Sequence, residues 1–314
     1  MIIDIPNRIY WNHFTTNQNP YISEWFIEIV ERKAERIVLL MNNADKSIGL
    51  AAGIKDNIIY SPFSAPFGGF HYSHEHLMYD AILNFLNELK EYVVLNSLSG
   101  INITLPPDIY QTNMNAKLIH AFIKSGYVMN TPNIYNWIDL ALFDGIWVYN
   151  KVSNRCRRAI KNGLSFHFLT ETEEDEKTDA YNLIKQNRIG KGRKIHMSFE
   201  EVKEINSRIP VDFFIVKDKT TSTIGAGIIY RGNSNIAQAI FMGDDLDKRD
   251  LGTIDFLYMN IYNHYKNMSY KHIDFGISSF NGEPNMGLIR FKEIHNCNTS
   301  LQYSFRWSPD LDLN

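Results

Sequence analysis

Two halves of this sequence repeat one order of elements, and few folds accommodate such a repeat. In the first half "RIVLLMN" (36–42), "SIGLAAGI" (47–54) and "NIIYSPF" (57–63) read as three strands: short apolar runs broken by Asn43, Asp45, Asp56 and Asn57. A helix follows from about Ser73, its N-cap, with Leu77, Ala81, Phe85 and Leu89 on one face. Then come a strand "SGINITLP" (99–106), a helix over 113–125 closed by Gly126, and a strand "NIYNWIDL" (133–140). The second half starts its own meander with "VDFFIVKD" (211–218), "TIGAGIIYR" (223–231) and "NIAQAIFMG" (235–243). A helix over 253–267, a strand "HIDFG" (272–276), a helix over 286–295 and a strand "SLQYSFRW" (300–307) close it. "SIGLAAGI" and "TIGAGIIY" hold the same place in each meander, so internal duplication is the organising expectation. A further helix over 21–33 precedes the first meander, and a linker is expected near 142–153.

With 314 residues the chain exceeds what one core supports, and two domains, 1–145 and 146–314, are expected. An apolar content of 44% with 13% aromatics fills two cores and excludes disorder. The net charge of −3 gives no general pull on nucleic acid or anionic membrane, so a polyanion site must be a local patch and DNA binding is not expected. Cys156 and Cys297 lie far apart, with no metal spacing, which suits a reducing compartment. The N-terminal "MIIDIPNRIYWNHF" carries an early Asp4 and no continuous apolar core, so it is no secretory signal. No apolar run approaches the roughly 20 residues of a membrane span. A soluble, cytoplasmic protein is the expectation.

Between Asp144 and Glu171 there is no acidic residue, yet Lys151, Arg155, Arg157, Arg158 and Lys161 fall there. On a helix, Cys156, Ala159 and Ile160 form one face and the cations the opposite arc, which suits a phosphate-bearing acceptor or a tRNA end, or simply a solvated face. "HYSHEH" gathers His71, His74 and His76 but lacks the second-helix partner or cysteines of a zinc signature, so no metal is expected. "SFEE" (198–201) is a capping box.

Three stretches carry a resemblance to a known family: "SPFSAPFGGF", with Phe67, Gly68 and Gly69; "VSNRCRRAIKNGL", with Arg155, Arg157 and Arg158; and "DFGIS…NMGLIRFKE". Together with the element order, which is that of a GNAT-type domain used twice, they make the sequence similar to the FemAB/FemX-like tandem GNAT-fold transferases. The best-known members of that family add amino acids to peptidoglycan precursors. The resemblance implies an α/β (α+β) chain of two tandem GNAT-like domains, each a mixed, mainly antiparallel sheet flanked by helices. The family's phenylalanine and lysine carry over to Phe291 and Lys292, the lysine being implicated in stabilising the reacting acyl group. This chain departs from the pattern after Lys161, where the basic stretch is short, and at His295-Asn296, which replaces Phe-Gly.

Acyl transfer to an amine passes through an oxyanion and needs a donor aimed at it, a role that fits Lys292 held beside the face of Phe291. Asp274, at a strand end, and His295, one helical turn beyond Lys292, are the candidate bases; a substrate-assisted route needs neither. A GNAT helix binds pyrophosphate with its N-terminal amides, and here Arg249, Leu251, Gly252 and Thr253 occupy that loop, with Ile254 in place of a small residue. An ordinary helix start capped by Thr253 is the alternative. The expected activity is N-acyl transfer from acyl-CoA, or from an aminoacyl-tRNA as alternative donor, to a primary amine of a cell-wall precursor or other small acceptor. The competing class is a catalytically inactive tandem GNAT scaffold that binds a phosphorylated ligand or partner.

Overall fold

The structure, a computed structural model, describes the chain apart from residues 15–18, 75 and 314 and the side chains of 312 and 313. In chain order the strands and α-helices are β1 (Ile2–Asp4), α1 (Asn7–His13), α2 (Glu24–Val30), β2 (Arg36–Asn42), β3 (Ile48–Lys55), β4 (Ile58–Ser61), β5 (His71–Tyr72), α3 (Tyr79–Leu95), β6 (Gly100–Thr104), α4 (Asn115–Lys124), β7 (Val128–Met129) and β8 (Asn133–Asp139). There follow α5 (Asn150–Lys161), β9 (Ser165–Leu169), α6 (Glu174–Gly190), α7 (Phe199–Asn206), β10 (Val211–Lys217), β11 (Thr223–Tyr230), β12 (Ile236–Asp244), α8 (Thr253–Asn267), β13 (His272–Ile277), β14 (Ser279–Phe280), β15 (Glu283–Pro284), α9 (Met286–Ile294), β16 (Asn298–Gln302) and β17 (Ser304–Trp307). Both expected meanders are present, and "SFEE" is the capping box of α7.

The chain forms two compact units interleaved in sequence: Met1–Tyr135 with Ser279–Pro284 and Ser300–Asn314, and Asn136–Ser278 with Asn285–Thr299. The linear reading divides them after residue 145. The two divisions differ at residues 136–145, at Ser279–Pro284 and at the closing strands. "SLQYSFRW", expected as one strand, breaks at Tyr303: β16 borders β8 in the second sheet, whereas β17 lies between β6 and β7 in the first. Alternation of apolar residues reports that a segment is extended, not which sheet it joins.

The first sheet runs β1-β2-β3-β4-β6-β17-β7, with β5 added to β3. Its core joins Val38, Leu40, Leu50 and Ala52 of the meander to Ile82, Phe85, Leu86 and Leu89 of α3, which recur at the helical period. Phe122 of α4 stacks on Phe305 with centroids 4.4 Å apart. Helix α3 begins at Tyr79 rather than Ser73, because His71 and Tyr72 are spent as a strand against Gly49 and Ile48.

The second sheet runs β16-β8-β13-β12-β11-β10-β9; β9 to β12 pair antiparallel and β12 meets β13 in parallel. Helix α5 buries Val152, Cys156 and Ala159; Ile160, expected on that face, is exposed, since positions 152, 156 and 159 already complete the inward stripe. The expected linker is docked rather than loose, with Phe143 and Trp147 in the core against Tyr262.

Candidate active site

In the second unit β12 and β13 part company. Their parallel register runs Ile236↔His272, Ala237↔Ile273 and Gln238↔Asp274 and then stops, while β12 continues to Asp244 beside β11. Ile240 is an extra residue in β12, because Ile229 pairs Ala239 and Ile228 pairs Phe241; such a bulge bends the strand. Two parallel strands that diverge at their C-terminal ends open the crevice in which α/β sheets hold ligands.

Lys292 grips the diverging end of β13. Its side chain is buried, and Nζ donates to the carbonyls of Phe275, Gly276 and Ile277 at 2.8, 2.8 and 3.0 Å. An ammonium has three N–H groups, so this one is saturated. Gly276 turns at φ +67°, and its N–H donates to Asp274 Oδ1 at 2.7 Å. Burial pushes the Lys292 pKa down to about 8, with Cys297 and Asp274 acting against it. The free oxyanion donor expected from sequence is therefore corrected to an ammonium already committed to backbone. Phe291 is corrected too: its ring lies 4.1 Å from that of His295 and edge-on to Tyr258, and no ring–ammonium contact with Lys292 occurs among the described residues. Helical spacing puts positions 291 and 292 about 100° apart, on adjoining faces. Asp274 is fully buried, bound to the turn it shapes.

Asp255, in the first turn of α8, faces a guanidinium and an imidazole. Arg155 Nη1 stands 3.4 Å and His295 Nε2 3.2 Å from its Oδ1, and both Asp255 and His295 are inaccessible to solvent. His295 Nδ1 lies 2.6 Å from the Phe291 carbonyl, which can only accept, so Nδ1 carries a proton. His295 thus ties α9 to α8, and Arg155 ties α5 to the same carboxylate.

This tie decides the expected phosphate loop. Gly252 has φ +83°, and a Cβ there would meet the Arg155 carbonyl oxygen at 2.5 Å. The glycine makes room for α5, whose Arg158 also donates to the Asp250 carbonyl at 2.9 Å. Leu251 packs on the core and Thr253 is buried beneath β11 at Gly225. Among the four loop residues Arg249 alone faces outward, half exposed, with Nε 3.7 Å from Asp244. Arg157 projects into solvent.

In the first unit Phe67, Gly68 and Gly69 are buried. Phe67 lies between Tyr21 and Tyr110, Gly68 N–H donates to Thr104 O, and a Cβ at Gly68 would strike Ser61 and Pro62. These residues knit a turn onto the sheet. His71 is buried against Tyr10, and the described residues contain no cluster of three metal-ligating side chains.

One group of cations escaped the sequence reading. Residues 180–199 are as free of acid as the stretch that drew attention, and they hold Lys185, Arg188, Lys191, Arg193 and Lys194. Arg188 and Lys191 gather with Arg249 at the end of β12. The signal was the acid-free run; their partner Arg249 lies some 55 residues away along the chain.

Two units with mainly antiparallel sheets flanked by helices, the second with a bulged strand diverging from its parallel neighbour, define a tandem GNAT fold. The chain shares that fold with FemX, at TM-score 0.68 and 12% identity over 100% of this chain and 98% of that one. It is similar to L-PGS from Bacillus licheniformis (TM-score 0.59, 12% identity, 92% of each chain) and to a tandem GNAT protein from the clavulanic acid biosynthesis pathway (0.57, 9%, 98% of each). The sequence matches no protein-family model and no curated protein. No helix among the described residues is long and apolar enough to cross a membrane.

Proposed function

We propose that this protein is an N-acyltransferase, moving an acyl or aminoacyl group from an activated carrier to a primary amine. The observation that carries the reading is the divergence of β12 and β13 after Gln238↔Asp274, with the bulge at Ile240, in a chain whose whole length follows the FemX fold. Strand ends that separate there can take an extended acyl carrier by backbone hydrogen bonds, and the amine then meets the carbonyl in the crevice.

In this reading Lys292 is a positioning residue. By holding three carbonyls it sets the direction of the β13 end, and so the wall against which the acyl group lies. Asp274 fixes the Gly276 turn from the other side. Acyl-CoA is the favoured donor and an aminoacyl-tRNA the alternative; the acceptor is a small amine or a cell-wall precursor. The pure protein, incubated with acyl-CoAs and aminoacyl-tRNAs against a panel of such amines, should form an amide detectable by mass spectrometry. Folded protein that gives no amide with any pair, while ligands still raise its melting temperature, would favour the inactive binding scaffold instead.

A further inference from the structure

We infer that the second unit docks on an anionic lipid surface through the apolar tips of residues 142–149 and the cations of α5 that follow them. The inference concerns this surface alone and stands whether or not the protein transfers acyl groups.

The segment "LFDGIWVY" sends its apolar side chains in two directions. Phe143 and Trp147 are buried against Tyr262 of α8, with ring centroids 5.1 and 5.3 Å from it. Around them Leu142, Ile146, Val148 and Tyr149 are 79%, 68%, 77% and 51% exposed. Exposed apolar residues scattered singly are ordinary, but four within one short segment mark a contact surface. The backbone there is held, so the tips cannot fold away. Asn296 accepts from the Val148 N–H at 3.1 Å and donates to the Ile146 carbonyl at 2.9 Å, and Lys266 Nζ donates to the Phe143 carbonyl. The two nearby carboxylates are spent on turns: Asp144 binds the Ile146 N–H and Asp139 the Ala141 N–H, each at 2.9 Å.

Helix α5 continues this surface. Its Val152, Cys156 and Ala159 pack on α8, the helix that also receives Phe143 and Trp147, so the outer side of α5 and the four tips all point away from α8. Lys151, Arg157 and Lys161 lie on that outer side and are exposed, and among the described residues none of the three enters an ion pair. Arg155 and Arg158 are occupied, by Asp255 and by the Asp250 carbonyl.

Area and charge select the occupant. Four side chains of this kind offer roughly 250–500 Å² of apolar surface. That is short of the ~800 Å² per partner buried in a stable protein pair. A bilayer interface accepts less: apolar tips enter its boundary layer, tyrosine settles at the headgroup level, and Lys and Arg keep their charge in water at the end of apolar stems. Cations add attraction where the lipid is anionic. The chain as a whole carries −3, so that attraction must come from a local group such as this one.

Flotation of the full chain with lipid vesicles tests this. Wild type should float with mixed phosphatidylglycerol–phosphatidylcholine vesicles at millimolar lipid, float far less with phosphatidylcholine alone, and bind more weakly as salt rises. The double substitution Ile146→Ser, Val148→Ser should lower the partition by about 10-fold or more, and Lys151→Gln by about fivefold. Leu95→Ser, which removes an exposed leucine from α3 of the first unit, should stay within about twofold. All these side chains are exposed, so unchanged melting temperatures should accompany the losses. A second readout needs no loss of binding: Tyr149→Trp should add emission that shifts to the blue on anionic vesicles and is quenched by brominated lipid. No flotation of wild type at millimolar anionic lipid, equal flotation on neutral vesicles, or equal flotation of the double variant overturns the docking surface, as does an equal loss in Leu95→Ser. A dimer in sedimentation velocity that the double variant dissolves would also overturn it, and would assign the tips to a second copy of this chain.

Discussion

Lys292 Nζ stands 2.8 Å from the carbonyl oxygen of Gly276, a residue 16 positions earlier, and takes the neighbouring carbonyls of Phe275 and Ile277 with its other two protons. One side chain therefore supplies the hydrogen bonds that the end of β13 gives up when it leaves β12. Replacement by methionine keeps the length and removes all three donors. We expect Lys292→Met to destabilise the second unit by about 3 kcal/mol, the order found when buried charged partners are removed. In a thermal melt that is a fall of roughly 6–12 °C. A variant that melts like wild type yet loses activity would return the lysine to the role of a chemical donor.

Gly252→Ala tests the packing of α5 on the turn before α8. The added methyl faces the Arg155 carbonyl at 2.5 Å and sits at positive φ, so α5 must move. The expected cost is about 2 kcal/mol or more in urea unfolding. Unchanged stability would mean that α5 does not rest on this glycine.

Asp255→Asn leaves His295 buried beside an amide and frees Arg155. Arg155 is partly exposed, so its own share is small, about 1 kcal/mol, whereas the loss at Asp255 should reach about 3 kcal/mol. In a double-mutant cycle with Arg155→Met the two effects should fall short of additive by about 1 kcal/mol, and strict additivity would mean that the pair is not coupled.

Acid should unfold the first unit through His71. Burial lowers its pKa to about 3, against 6.5 for the free side chain, despite a backbone bond to Ile22 that raises it. Between those values the unfolded chain binds a proton that the folded chain refuses. Stability is thus complete above about pH 6.5 and falls toward pH 3, by at most about 1.4 kcal/mol per unit. Melting temperatures from pH 7 to pH 4 should drop less steeply in His71→Gln; equal slopes would exclude this histidine as the source.

Local order was legible because it is written in neighbours. Apolar runs punctuated by Asn and Asp marked both meanders, the 3.6-residue period marked the apolar face of α3, and the Ser198–Glu201 capping box was read from four residues. Duplication followed from two such series in register, "SIGLAAGI" and "TIGAGIIY". The tandem GNAT order was thus visible before any contact was known. What stayed hidden was everything that depends on a distant partner. No periodicity shows that β17 leaves the strand it continues and joins the first sheet, nor that Phe67 to Gly69 face inward. Position in a motif placed Lys292 rightly on a short helix beside a turn, but only the tertiary structure decided what its protons meet, since the three carbonyls come from a strand 15 to 17 residues earlier. The same holds for Gly252, whose freedom serves the backbone of α5 about a hundred residues away. Composition and spacing determine which elements form, because those forces act within a turn or a strand. Which charges are paired is settled by packing, as at Asp244, where two glycines let a helix and a turn close upon one carboxylate.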